Sequence, residues 1–346
     1  MEQITRIFID TSKEFYQLHG VDAAEAAVLR RKLRRGQMVS FFTKLSPTVV
    51  GLEACGASHH WARVLGALGH EVRQIAPQHV KAYVRRGKND AVDAEAGCEA
   101  MSRPRTRFVP TKSAENQAAL MLAATRERLV KSRTQLGNAI RGHAAEFGLV
   151  APRGLDKLAL LLERAIDDET VPALARALFA ELGDEYARLQ TRLDAVEARF
   201  LAWQRADETC RRLAKIPSVG PVGAALLVMK TPQTQAFASG RHFAAWIGLT
   251  PKDHSTAGKQ RLGVITRAGD EALRATLVAG ATAVIKQVMA GRSAPSPWLA
   301  QLLKRKPTKL AAVALANKVA RIAWTMMHTG QDFDPTRLAR PMAEAA

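Results

Sequence analysis

Short apolar, β-branched runs separated by polar turns fill the first hundred residues. Residues 4–10, 15–21 and 26–33 read as three consecutive strands, close enough in sequence to form a meander. After them the period changes. Residues 38–45 have helical spacing, 48–53 form a short apolar strand, 58–68 are helical again, and 71–75 make another strand. A meander followed by strand–helix–strand alternation predicts an α/β sheet domain, running to about Pro104.

Beyond it the pattern is helical. Residues 113–147 form one long basic helix, closed by a loop at Pro152-Arg153-Gly154. Next, Leu182, Leu189, Val196 and Trp203 lie seven apart, and Leu178, Tyr186, Leu193 and Phe200 interleave with them. This heptad-like seam predicts a helix with two readings: a helical hairpin packed on 113–147, or a coiled-coil dimer contact. Residues 209–334 are mostly helical with Gly and Pro breaks. Within them Ile216-Pro217-Ser218-Val219-Gly220-Pro221-Val222-Gly223 looks like a helix-hairpin-helix with a tight Gly turn. Backbone amides there, at Ser218, Gly220 and Gly223, suit contact with nucleic-acid phosphate, though an ordinary helix connection gives the same pattern. Leu310, Val313, Ala314, Val319, Ile322 and Trp324 form an expected core stripe, leaving Lys318 and Arg321 solvated or touching nucleic acid. The expected division is an α/β domain at 1–105, a helical, coiled-coil linker and dimerisation region at 106–208, a mostly α C-terminal domain at 209–334, and a disordered tail at 335–346.

Composition adds a partner. The chain of 346 residues carries 51 Lys and Arg against 32 Asp and Glu, a formal net charge of +19. Such an excess favours polyanions, because Lys and Arg neutralise phosphates and release condensed counterions. Aromatic residues are only 5% of the chain, which suits backbone binding better than base stacking. Cys55, Cys98 and Cys210 have neither the CxxC spacing nor the histidine neighbours of a zinc site. The start, Met1-Glu2-Gln3-Ile4-Thr5, lacks a signal-peptide pattern, and no apolar run approaches the ~20 residues of a membrane span. The expectation is a soluble cytoplasmic protein with no membrane contact.

Four acids stand at chemically suggestive places. Asp10 and Glu53 each end a strand, and Asp90 and Asp93 open a helix, three apart and so on one face. Strand ends and a helix start bring such residues together. Clustered carboxylates repel one another unless a cation sits among them, and oxygen-only donors suit Mg²⁺, with Mn²⁺ as a substitute. Each acid alone also reads as a turn residue or N-cap. His59 and His60 are adjacent rather than four apart and make no metal pair. A second constellation, residues 248–263, is rich in hydroxyls, glycine and bases. A serine there could attack a phosphate and store the bond energy as an ester, with Lys259, Arg261, Arg267 and Arg274 neutralising charge. A passive phosphate loop is the plainer alternative.

The segments Phe8-Ile9-Asp10-Thr11-Ser12-Lys13, Gly51-Leu52-Glu53-Ala54-Cys55-Gly56 and Lys88-Asn89-Asp90-Ala91-Val92-Asp93-Ala94 resemble the motifs of the DEDD transposases of the insertion-sequence one-ten family. The resemblance spans nearly the whole chain. It implies a RuvC-like, RNase H-type N-terminal domain in which Asp10, Glu53, Asp90 and Asp93 are the metal-binding acids. It also implies a C-terminal transposase domain whose nucleophilic serine is Ser255, with Thr256 as the neighbour one register away. The family usually has glycine where this chain has Ala257. Further implications are donor and target DNA as substrates, a structured noncoding guide RNA (a bridge RNA) that pairs with both, a dimer assembling to a tetramer, and a bacterial setting on the nucleoid. Two rivals remain: a RuvC-like nuclease using water as nucleophile, and a non-catalytic nucleic-acid-binding protein whose acids are caps.

Overall fold

The computed structural model describes residues 4–84, 89–104, 106–152, 154–231 and 233–339. Lys88, Arg153, Met1-Glu2-Gln3 and the tail from residue 340 onward, all named above, lie outside the described residues. The chain divides into two compact units, Met1–Gln117 and Ala118–Ala346.

The first unit is a mixed sheet with helices on both faces. Its elements in order are β1 (Arg6–Thr11), β2 (Phe15–Val21), β3 (Ala27–Arg34), α1 (Met38–Thr43), β4 (Val49–Glu53), α2 (Ser58–Ala67), β5 (Glu71–Ile75), α3 (Pro77–Val80), α4 (Asp90–Ser102) and β6 (Phe108–Val109). The strand order is β3-β2-β1-β4-β5-β6. The meander β1-β2-β3 is antiparallel, β1-β4 and β4-β5 are parallel, and β6 closes the edge antiparallel. Alternation along each strand sorts the core into two layers, because successive side chains point to opposite faces. Ile7, Ile9, Val50 and Leu52 pack with Trp61 and Leu65 of α2 and with Met38 and Phe42 of α1. Phe8 and Ile75 pack on the other face with Ala96, Ala100 and Met101 of α4. The expected meander and alternation are present, displaced by a residue or two. A two-residue strand such as β6 and a single turn such as α3 are too short to show any period in sequence.

The second unit is helical. It contains α5 (Ala114–Glu146), whose first turn belongs to the first unit, then α6 (Leu158–Asp167), α7 (Ala173–Ala206), α8 (Glu208–Leu213), α9 (Pro221–Lys230) and α10 (Gly240–Ile247). A hairpin of β7 (Pro251–Asp253) and β8 (Leu262–Ile265) interrupts the helices. Then come α11 (Glu271–Met289), α12 (Pro297–Arg305), α13 (Thr308–Thr329) and α14 (Thr336–Ala339). The heptad-like seam lies on α7. Leu193 and Phe200 are buried, Arg126 of α5 pairs with Glu197 at 2.5 Å, and Arg133 of α5 donates to Gln190 at 2.9 Å. The buried part of the seam thus faces the chain's own α5, as in a helical hairpin.

Four sequence expectations change here. The core stripe of α13 runs through Ala311, Leu315, Ala316, Val319, Ala320 and Ala323, while Leu310 is 58% exposed. Val319 and Ile322 of the expected stripe are buried and Trp324 packs on the same core, while much of the face is carried by small alanines that a search for large apolar residues passes over. Lys318 is buried rather than solvated: its ammonium lies 4.2 Å from the Trp298 ring centroid and donates to the Leu338 carbonyl at 2.7 Å. Burial, with Arg321 nearby, lowers its pKa to about 8. That bond holds Leu338, and Thr336–Ala339 are helical within the described part of the stretch expected to be a disordered tail. Finally, α11 and α13 are long and apolar enough, by length and composition alone, to cross a membrane. Their apolar faces, including Leu273, Leu277, Ala281 and Ile285 of α11, belong to the core shared by the two helices.

Candidate active site

Strand register places the first two acids. Ile9 of β1 pairs with Leu52 of β4, so the next residues, Asp10 and Glu53, stand level at the carboxyl ends of neighbouring parallel strands. Ile9 and Leu52 face α1 and α2, so their successors face the opposite layer, where α4 lies. On α4, Asp93, Gly97 and Met101 follow at four-residue steps and share one face. A β-carbon built on Gly97 would overlap the Phe8 ring, and one built on Gly51 would overlap Met101. The helix therefore sits hard against β1 and β4, with its first turn toward the acid-bearing strand ends. Asn89 caps that turn, its side chain accepting from the Ala91 N–H at 3.0 Å, so Asp90 is not the cap.

The electrostatics match this placement. Burial, then the charges of Asp90, Asp93 and Glu53, pushes the Asp10 carboxyl up to about 6. Burial and Asp93 raise Glu53, while Lys81, just after α3, pulls it back. Asp10, Glu53 and Asp93 are half-buried and Asp90 is exposed. Asp10 and Glu53 feel the neighbouring acids, but the four carboxylates do not close on a single point: among the described residues no three His, Cys, Asp or Glu side chains stand close enough to hold a metal ion. The donor set is all oxygen and carries a net negative charge, which fits a hard divalent cation and no soft one. Sequence spacing missed three neighbours of this cluster. Thr11 Oγ1 and Cys55 Sγ are 3.1 Å apart and tie together the segments after Asp10 and Glu53, and Lys81 supplies a cation. His59 takes no part: its Nδ1 accepts from Gln74 at 3.1 Å and the Lys112 N–H at 3.3 Å, and burial lowers its pKa to about 4.

In the second unit, residues 248–263 are not a loose loop but the larger part of a projecting arm. Lys259 N–H donates to the Thr256 carbonyl at 3.0 Å across a two-residue turn. Ala257 has φ 47° and Gly258 φ 76°, the positive pair that hairpin turns of type I′ need. Residues 251–264 are exposed throughout. Ser255 sits beside the tip. Its N–H donates to Asp253 Oδ1 at 2.8 Å, its Oγ accepts the Arg261 N–H at 3.0 Å, and its hydroxyl helps hold the Asp253 carboxyl below the usual range. The base of the arm is rigid. β-carbons on Gly248 and Gly269 would overlap the carbonyls of Ala268 and Trp246, and Thr266 N–H donates to the Thr250 carbonyl at 2.8 Å.

The remaining basic and hairpin residues divide. Lys259, Arg261 and Arg267 are exposed and make no ion pair with an acid among the described residues. Arg274 is not available: its Nη1 donates to the carbonyls of Ile247 at 3.0 Å and Ala268 at 3.1 Å, capping α10 and clamping the arm's base. The expected tight glycine turn between α8 and α9 is also corrected. The left-handed residue is Ser218, at φ 80°, whereas Gly220 has φ −79° and caps α9 ahead of Pro221. Gly223 is buried against α11, where an added β-carbon would lie 3.6 Å from Thr276 Cγ2, so it packs rather than faces solvent.

Comparison with known proteins covers both regions. A family model for DEDD transposases of IS110 matches residues 8–147, and one described as the transposase IS116/IS110/IS902 family matches residues 210–294. The first range holds the four acids, the second Ser255 and its arm. The chain is 60% identical to transposase y4pF/y4sB of Sinorhizobium fredii, over 96% of this chain and 86% of that protein. It is 37% identical to the transposase for insertion sequence element IS1111A of Coxiella burnetii, over 94% of this chain and 90% of that protein. It is 34% identical to the transposase for insertion sequence element IS1328 of Yersinia enterocolitica, over 96% and 99% respectively. The chain belongs to the IS110 family of transposases, enzymes that cut and rejoin DNA.

Proposed function

We propose that this transposase cuts and rejoins the DNA of an insertion sequence with two separate sets of groups: the four acids of the first unit and Ser255 of the second. The observation that carries the reading is the register of Asp10 with Glu53, both facing the start of α4, with the Asp10 carboxyl raised to about 6 by burial and by the other three acids. A strand order of β3-β2-β1-β4-β5 with an antiparallel meander first supports a RuvC-like, RNase H-type domain. Asp10, Glu53, Asp90 and Asp93 would hold a divalent cation, Mg²⁺ or Mn²⁺, which when bound supplies Lewis-acid stabilisation of charge on the scissile phosphate.

Ser255 Oγ bonds to phosphorus as the bond from phosphorus to one sugar oxygen breaks. That sugar oxygen leaves with a proton, and the phosphodiester energy is kept in a phosphoserine ester. Asp253 accepts the Ser255 hydrogen bond and is positioned to take its proton. Attack by a sugar hydroxyl on the ester reverses the step and joins strands with no external energy source. Lys259, Arg261 and Arg267 steady phosphate charge along the arm, and the Ser218–Gly220 turn, part of a helix-hairpin-helix, contacts backbone. A structured noncoding RNA would carry sequence specificity by pairing with donor and target. Paired sites require paired protein, so the working form is a dimer assembling to a tetramer, acting in the bacterial cytoplasm.

The test uses Ser255→Ala, Thr256→Ala and Asp10→Asn proteins with end-labelled DNA. A covalent protein–DNA adduct formed by wild type and by Thr256→Ala, absent with Ser255→Ala and absent in EDTA, is the expected result. Full strand cutting by Ser255→Ala would assign the attack to water. Cutting that survives both EDTA and Asp10→Asn would make the acids structural.

A further inference from the structure

The sheet register extends past the acids to a feature that neither unit's chemistry has used. Asp10 of β1 pairs with Gln17 of β2, and Gln17 pairs with Lys32 of β3. Paired residues on adjacent strands share a face, so Lys32 lies on the acid-bearing face, two strand spacings or roughly 10 Å from Asp10. Arg30 and Arg34, two residues to either side, share that face, while Leu33 between them is buried in the opposite layer. All three cations are exposed, and none forms an ion pair with an acid among the described residues. α4 packs chiefly on β1, β2, β4 and β5, and β3 lies beyond it at the sheet edge, with Arg30 sharing a cavity with Glu95 and Glu99 of α4. Successive cations on a strand stand roughly 7 Å apart, close to the separation of neighbouring phosphates along one nucleic-acid strand. Phe15, level with Arg34 on the same face, presents a partly exposed ring with the Lys32 ammonium 4.6 Å from its centroid.

We propose that Arg30, Lys32 and Arg34 of the edge strand form a phosphate track for a single strand of DNA, with Phe15 as a stacking surface, leading along the sheet to the acid cluster. This rests on the reading of that cluster given above. One straight row of three cations beside one ring matches the backbone-plus-stacking pattern of single-strand binding; a duplex would present two backbones to a row that meets one. An unpaired basic edge strand is also protected from pairing with another sheet, but that role alone needs no cation row on the acid side.

The test measures binding of the full chain in EDTA, where the metal-dependent acids are silent. Fluorescence anisotropy of labelled oligo-dT, a duplex of equal length and oligo-rU is followed against salt concentration. Arg30→Thr/Lys32→Thr/Arg34→Thr leaves three phosphates without their cations, so the log–log salt slope for oligo-dT falls by about 2, at about 0.7 per phosphate. Threonine keeps β propensity at an exposed edge. Arg30→Lys/Arg34→Lys keeps the wild-type slope, and Arg31→Thr, whose guanidinium lies over Phe41 on the opposite face, leaves it unchanged. If the triple variant does not fold, Lys32→Gln alone lowers the slope by about 0.7. An unchanged slope, an equal loss in Arg31→Thr, or a greater loss for duplex or RNA than for oligo-dT would overturn the proposal. Failure of the acid reading looks different: Asp10→Asn still cuts, while the anisotropy result stands.

Discussion

The ring of Phe8 occupies the space that a β-carbon on Gly97 would need, and this fixes how closely α4 approaches the sheet. Asp93 lies one turn before Gly97 on the same face, so a helix pushed outward takes the acid with it. Gly97→Ala gains helix propensity of about 1 kcal/mol but overpacks a buried contact, which costs about 1–3 kcal/mol. The expected net loss is about 1 kcal/mol by urea unfolding. Cutting should fall far more, by about 100-fold for each ångström of displacement. Activity that tracks only the small stability loss would show that α4's distance from the sheet does not position the acids.

The raised Asp10 carboxyl predicts a pH signature in metal-free protein. The folded state keeps the Asp10 proton up to about pH 6, while the unfolded chain releases it near 4. Asp10 therefore favours folding at low pH, and that contribution is lost as pH rises from about 4 to about 6. Asp10→Asn removes the titration. Its melting temperature in EDTA should exceed that of wild type above pH 6.5, and the gap should shrink toward pH 4.5. A gap of constant size across that range would mean that burial and the other acids do not act on this carboxyl.

Much of the first unit is legible because two periods change where the elements change. β1 is legible as a continuous apolar run, Ile7-Phe8-Ile9, which Asp10 interrupts one residue before the strand ends. The resemblance supplied four residues, but the register of Ile9 with Leu52 is what puts two of them level, and no spacing in one chain contains a register. The row from Asp10 to Lys32 is hidden for the same reason: it joins residues on three strands. The C-terminal unit is less legible. β7 and β8 are a few residues each, and proline in the first and glycine in the second keep alternation from developing. Arg274 and Arg261 look alike in sequence, yet one is bound to two carbonyls and the other stands on an exposed arm.

That last contrast gives a paired prediction. Arg274→Ala leaves the carbonyls of Ile247 and Ala268 without their charged donor, a loss of about 1–3 kcal/mol. It should lower the unfolding midpoint while leaving the salt slope of duplex DNA binding unchanged. Lys259→Ala/Arg261→Ala should do the reverse: stability within about 0.5 kcal/mol of wild type, and a slope reduced by about 2 because two phosphates are no longer neutralised. Equal slopes in all three proteins would remove the arm from the DNA interface.

Ser218 is the one residue between α8 and α9 with a left-handed backbone, at φ 80°. A non-glycine residue there costs about 1–2 kcal/mol. Its Oγ is also buried with no hydrogen-bond partner, a further penalty of about 1–3 kcal/mol. Ser218→Gly removes both, against a loss of about 0.4–1 kcal/mol from the greater freedom of the unfolded chain. The Ser218 carbonyl packs where a β-carbon on Gly280 would sit, so the turn has no room to relax and escape the strain. The variant should therefore be more stable by about 1 kcal/mol or more in urea unfolding. Ser218→Ala, which keeps the strain but deletes the hydroxyl, separates the two contributions and should recover only part of the gain. If the backbone amides of this turn hold DNA phosphate, Ser218→Gly binds duplex DNA as wild type does, because the donor is the main chain. Weakened binding by the more stable variant would overturn the assignment of this contact to the main chain of the turn.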